Sequence, residues 1–226
     1  MQFNPAQYGG AAHAVERNRV LRNTYFLLAL SMLPTAAGAL LGISMHFAMT
    51  PMFGVILFLG ISFGMFYAIE KTKNSAMGVV LLLAYTGFMG LWLSQILQVA
   101  LRFSNGASLI GTAAVGTGAI FFTLAGIATV TKKDFSFMSK FLFIGVIMLI
   151  LASLANIFFA IPAASLAISA VAVMIFSAYI LVDVSRIVNG GETNYITATL
   201  QLYLDVYNVF ISLLNILMAF SGNNRN

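Results

Sequence analysis

Residues 141–161 read FLFIGVIMLILASLANIFFAI, twenty-one positions without one Asp, Glu, Lys or Arg. At the α-helical rise of about 1.5 Å per residue the stretch is about 31 Å long, which matches the hydrocarbon core of a bilayer. A helix apolar on every face has no side to turn to water, so this segment reads as a membrane span. Its borders agree. Lys132-Lys133-Asp134 precedes it and Ile161-Pro162 closes it, since proline ends the helix before it.

Working outward, the same reading recurs. A first span runs from about Thr24 to Met45, too long and too poorly bounded for a cleavable signal peptide. Others cover roughly 52–69, 76–100, 107–130, 163–182 and 197–220, separated by short polar breaks such as Glu70 to Asn74, Arg102 to Gly106 and Asn189 to Glu192. The fold expected is an all-α integral membrane protein, a seven-transmembrane-helix bundle. Residues 1–23 contain no apolar stretch to bury and are expected to form a mostly disordered tail; 221–226 form a short second tail.

Composition supports this class. Apolar residues make up 61% and charged residues 8% of the chain, against about 45–50% and 25% in soluble domains, so the charges present are too few to cover a soluble surface. The absence of cysteine removes disulfides, thiolate metal sites and cysteine nucleophiles. The net charge of +5 does not point to nucleic acid here, because the basic residues sit in short clusters between spans, where they act as topology signals. With the N-terminus inside, the inner loops hold Arg17, Arg19, Arg22, Lys71, Lys73, Lys132, Lys133, Lys140 and Arg186, and the outer side only Arg102 and Arg225. This bias predicts a cytoplasmic N-terminus and an external C-terminus; a re-entrant last segment would return the C-terminus inside. Gly38 to Gly42, Gly60 to Gly64 and Ala114 to Gly118 have the small-xxx-small spacing that lets helices approach closely.

Asp183 and Asp205 fall in or beside apolar helices. A carboxylate in hydrocarbon costs a few kcal/mol or more, so each is expected to face protein or water and is a functional candidate. Asp183 lies near the inner end of the sixth span, and Asp205 lies about 12 Å into the seventh from the same side. Gln201, Asp205, Asn208, Ser212 and Asn215 recur every three or four residues within an arc of about 80°. Such a stripe does not face lipid, which predicts a central seventh helix lining a polar cavity; interhelical hydrogen bonding is the alternative. Arg186 stands three residues past Asp183, within reach on the same face. Tyr85, Trp92, Tyr179, Tyr203 and Tyr207 read as interface anchors or core.

An enzyme is not expected. Gly60-Ile61-Ser62-Phe63-Gly64 matches the GxSxG string, but inside an apolar helix instead of a strand-to-helix turn, and the only histidines are His13 and His46. No HExxH, phosphate loop or clustered metal ligands occur, and no cofactor is expected.

Val20-Leu21-Arg22-Asn23-Thr24-Tyr25, Lys132-Lys133-Asp134-Phe135-Ser136-Phe137, Ile180-Leu181-Val182-Asp183 and Leu202-Tyr203-Leu204-Asp205-Val206-Tyr207-Asn208 resemble the Bax inhibitor-1 family, also called the transmembrane Bax inhibitor motif family. Gly190-Gly191-Glu192-Thr193-Asn194-Tyr195 is most similar to its bacterial YccA-like branch, which is linked to the membrane-anchored FtsH protease. The resemblance implies a multi-pass protein of the bacterial inner membrane and a pH-sensitive leak of Ca²⁺ governed by a hydrogen-bonded aspartate pair, at the positions of Asp183 and Asp205. Some relatives latch the first of these with an arginine at the end of the second helix. Here that region holds Lys71 and Lys73, which lack the two-pronged fork of arginine, and Arg186 is the other possible partner. Two functions are therefore expected: a cation leak gated by protonation of the pair, or a non-conducting modulator or competing substrate of FtsH, engaged through the N-terminal tail.

Overall fold

The computed structural model describes residues 5–223. The chain forms seven helices: α1 (Pro5–Ser44), α2 (Pro51–Thr72), α3 (Ala76–Ala100), α4 (Gly106–Thr131), α5 (Ser139–Phe159), α6 (Pro162–Val188) and α7 (Tyr195–Asn223), with a short 3-10 turn, Ser136–Met138, ahead of α5. All seven contain a stretch long and apolar enough to cross a membrane. The protein is an all-α, seven-transmembrane-helix bundle.

Local chemistry sets the breaks. Pro162 stands at the start of α6, where its missing N–H costs nothing and its fixed φ suits a first turn. Ala160 before it adopts a left-handed φ of 50°, closing α5 through its N–H to the carbonyl of Asn156. Lys132 closes α4 the same way, its N–H donating to Ala128. Asp134 then accepts from the Ser136 N–H at 2.8 Å and starts the 3-10 turn. The Ser136 hydroxyl and N–H hold this carboxyl below the usual carboxylate range. Its contribution is therefore complete above the unfolded-state value and is lost as pH falls through the lower folded value.

The span boundaries match those read from sequence within a few residues, with two informative differences. α6 continues beyond 182 to Val188, which carries Arg186 onto the helix bearing Asp183. α1 extends back to Pro5, where a mostly disordered tail was expected up to residue 23. A helix already nucleated in the span elongates outward at small cost, through good helix formers such as Ala11, Ala12 and Ala14. The last turns are also packed: Val20 and Thr24 are buried, and the Thr199 hydroxyl lies 3.3 Å from the Thr24 carbonyl. The tail expectation for residues 1–4 and 224–226 lies outside the described residues.

α7 packs against α6, α4, α1 and α3, whereas α2 packs chiefly on α3, and α5 on α6. α7 is one continuous helix, not a re-entrant hairpin. α1 and α3 cross closely, through glycines on both helices. A Cβ on Gly38 would collide with the Gly87 carbonyl, one on Gly42 with Ser94, and one on Gly90 with the Thr35 carbonyl. Gly60, Gly64 and Gly118, by contrast, have no neighbouring atom within 4 Å of where a Cβ would stand, so the other two small-residue motifs are not close contacts.

The basic ends of the helices share one face. Asn194, before α7, donates to the Lys73 carbonyl at 3.0 Å and to Asn74 Oδ1 at 2.9 Å; Ser185 Oγ donates to the Lys133 carbonyl at 2.9 Å and accepts from the Phe135 N–H at 3.0 Å. If this face is cytoplasmic, cysteines introduced after Asn74 and Lys133 will be shielded from an impermeant thiol reagent in intact cells, and those near His46 and Asn105 will be labelled. Labelling of the first pair would invert the orientation.

Candidate functional site

A cleft of about 490 Å³ opens between α2, α3, α5, α6 and α7. Its walls are mostly apolar, with Phe58, Phe63, Phe66, Val146 and Phe176 among them. Its polar groups converge on one region: Asp183 and Arg186 from α6, Gln201, Asp205 and Asn208 from α7, and Ser62 from α2. In α6, Asp183 and Arg186 are one turn apart, and Arg186 Nη1 lies 3.9 Å from Asp183 Oδ1. In α7, the four- and three-residue spacing keeps Gln201, Asp205 and Asn208 on the side facing α6 and α2.

Asp183 and Asp205, expected to come together, line the same cleft from α6 and α7. Both are buried, with 7% of Asp183 and 6% of Asp205 exposed, so little water remains to solvate either. No protein donor reaches Asp205 Oδ2. Carboxylates only accept, so a bond between them requires that one carry a proton. With one proton shared, the pair bears a single negative charge, and Arg186 beside it makes the group neutral. That is the least costly charge state for a cleft walled by hydrocarbon. Among the described residues, Glu192, Tyr85, Tyr179 and Tyr207 are other titratable groups around the pair.

Of the remaining candidates, Ser212 is buried and Asn215 half-buried on α7, but neither lines this cleft. Asn208 donates within its own helix to the Leu204 carbonyl at 2.8 Å. Lys71 and Lys73, considered as latch residues, are engaged elsewhere: Lys71 lies 5.5 Å from the ring centre of Tyr67, and Lys73 pairs with Glu70. Arg186 alone of the three contacts Asp183. Among the described residues no three His, Asp or Glu side chains gather as a metal site.

Two features escape a reading by periodicity. Ser62, noted only for its GxSxG string, is buried and accepts from the Tyr85 hydroxyl at 3.3 Å, which forms the α2–α3 side of the cleft. The hydroxyls of Thr35 and Tyr203 lie 2.9 Å apart, and both reach the Thr86 carbonyl, at 3.1 and 3.4 Å, tying α1, α3 and α7 behind the aspartates. Neither had a sequence signal beyond single polar residues within apolar helices.

The family model described as Inhibitor of apoptosis-promoting Bax1 matches residues 17–222. The chain belongs to the Bax inhibitor-1 family. Membership agrees with the reading that it is not an enzyme. Similar members include the Modulator of FtsH protease YccA of Escherichia coli, 42% identical over 200 residues that cover 88% of this chain and 90% of the relative. An uncharacterized protein of Pseudomonas aeruginosa is 42% identical over 224 residues, 99% of this chain and all of the relative. One from Neisseria meningitidis is 39% identical over 220 residues, covering 95% and 97%. These matches place the chain in the bacterial YccA-like branch of the Bax inhibitor-1 family.

Proposed function

We propose that this chain is a multi-pass protein of the bacterial inner membrane that modulates the membrane-anchored FtsH protease, with its N-terminus in the cytoplasm. The observation that carries this reading is the 42% identity, over nearly the full length of both chains, to a modulator of that protease. On this reading the chain competes with other membrane substrates of the protease, and for that it needs an end that the protease can grip. The polar segment ahead of the first span is that end. In Escherichia coli cells lacking their own YccA, expression of this chain is expected to lengthen the half-life of a membrane substrate of FtsH several-fold, read by pulse-chase. Deleting residues 1–18, with Arg19 and Arg22 kept, is expected to remove that effect and prolong the chain's own lifetime. Unchanged turnover of both proteins would end this reading.

The buried carboxyl pair supports a second reading. Packing alone does not call for two aspartates and an arginine among phenylalanines, since an apolar group of similar volume would cost less. The arrangement fits a proton-responsive element governing passage of a cation through the cleft, Ca²⁺ being the ion that the family resemblance suggests. Two carboxylates supply fewer ligands than the six to eight oxygens Ca²⁺ prefers, so amides such as Gln201 and Asn208, carbonyls and water would complete any transient site. The central, polar-striped role of α7 and the gating role of Asp183 and Asp205 belong to this reading. It is compatible with the first, because a proton-dependent shift of α6 against α7 would also change the face offered to a protease.

A further inference from the structure

On the other side of α7 from the carboxyl cleft, α1 and α4 both lie against α7, and an apolar groove runs between them. It consists of two hollows of about 620 Å³ and 380 Å³ that share Met32, Gly118 and Val206, and so join end to end. Each lies in the range of ligand pockets, about 300–1,000 Å³. From Tyr25 to Ala39 along α1 the groove is about 21 Å long, somewhat more than one leaflet's share, about 15 Å, of the hydrocarbon core. It is open because its walls carry small residues at helical spacing, among them Gly118 and Gly126, and a Cβ on either would meet nothing within 4 Å.

One end of the groove is polar, and a basic residue stands near it in sequence on each of its two walls. Tyr25 lines it beside Thr129, and the Tyr25 hydroxyl makes no hydrogen bond of normal geometry. Three residues before Tyr25 stands Arg22, and three past Thr129 stands Lys132; both are exposed, and neither is in an ion pair among the described residues. Asp134, the nearest carboxylate in sequence to Lys132, is turned to the Ser136 N–H.

We propose that the α1–α4 groove is a binding site for an anionic phospholipid, one acyl chain lying along Met32, Gly118 and Gly126 and the phosphate held between Arg22 and Lys132. The apolar length takes the chain and the basic end takes the charge. Both lie at the depth where a lipid of that leaflet carries them, as basic pockets between transmembrane helices bind anionic headgroups.

The test uses the purified full chain in detergent, mixed with phosphatidylglycerol or phosphatidylcholine of the same acyl chains, with bound lipid read by native mass spectrometry. A basic residue at a membrane surface contributes about five-fold in affinity for an anionic lipid, so the pair is expected to give a preference of about thirty-fold. Arg22→Gln with Lys132→Gln is expected to bring that preference close to one. Gly126→Leu, filling the groove from a position without steric conflict, is expected to abolish retention of both lipids. Equal retention of the two lipids by the wild type overturns the proposal, as does a preference that survives both variants. A wild-type dimer that Gly126→Leu splits, with no lipid retained, would put a second copy in the groove and overturn it equally. Since Arg22 and Lys132 are exposed, the glutamine pair decides the matter even in a preparation where Gly126→Leu folds poorly.

Discussion

Cation flux through the purified chain in liposomes is expected to vary between about pH 5 and 8, and to lose most of that variation in Asp183→Asn and in Asp205→Asn. The physical basis is a charge count around two buried carboxyls. With one proton between them the two carboxyls and Arg186, 3.9 Å from Asp183, sum to zero. Loss of that proton sets two carboxylates against each other, with Glu192 nearby and one guanidinium to balance them. Gain of a second leaves the guanidinium without its counter-charge. Each departure from neutrality raises the demand for solvation around buried carboxyls, and relief comes from moving α6 relative to α7. Asparagine keeps nearly the shape and hydrogen bonds of aspartic acid but does not titrate, so either substitution removes the coupled step while leaving the bundle intact. Arg186→Gln tests the same count from the opposite sign: it leaves the pair's single charge unbalanced and is expected to change flux at every pH, not to flatten the profile. A pH profile kept by both asparagine variants assigns the aspartates a structural role and leaves protease modulation as the function to pursue.

The parts of the site that were legible in the sequence are those that repeat. Gln201, Asp205 and Asn208 stand out because lipid tolerates no such series on one helix face, and Asp183 because it is an acid near the end of an apolar run. What repetition does not encode is which face meets which neighbour. Gly38 and Gly42 share their spacing with Gly60 and Gly64, yet the first pair lies against α3, Gly38 on its backbone and Gly42 on the side chains of Ser94 and Leu91, and the second has open space around it. Nothing within either helix distinguishes them; the difference comes from α2 packing chiefly on α3 while α1 meets α3, α6 and α7. The lysines show the same limit in electrostatics. Lys73 has Glu70 one turn before it and Lys71 has Tyr67, so near partners on their own helix hold both. Arg186 reaches Asp183 because α6 continues a turn and a half past the apolar run, to Val188. Hydropathy marks where the hydrocarbon ends, and the helix continues into the polar layer beyond it.

Adding one methyl group at Gly90 is expected to destabilise the bundle by more than about 3 kcal/mol, at or beyond the upper end of ordinary overpacking costs, while the same change at Gly60 is neutral or stabilising by up to about 1 kcal/mol. The two substitutions are chemically identical and both lie within transmembrane helices, so intrinsic propensity favours alanine at each. They differ in what the new Cβ meets. At Gly90 it would occupy the position of the Thr35 carbonyl and crowd the Thr35 Cα, all of it backbone, which does not yield by changing a rotamer. α1 would have to retreat from α3, and the shift would reach the hydroxyls of Thr35 and Tyr203 and the Thr86 carbonyl, whose contacts of 2.9 to 3.4 Å join α1, α3 and α7. A retreat of only about 1 Å stretches both Thr35 contacts, to Tyr203 and to the Thr86 carbonyl, past hydrogen-bonding length and unties α1 from α3 and α7, which adds to the steric cost. At Gly60 the methyl group enters open space. Thermal unfolding of the two alanine variants in one detergent, followed by circular dichroism, gives the comparison. Equal midpoints would mean that α1 and α3 do not approach as closely as their glycines allow, and opposite shifts would identify the α1–α3 crossing as the contact that the fold tolerates least change in.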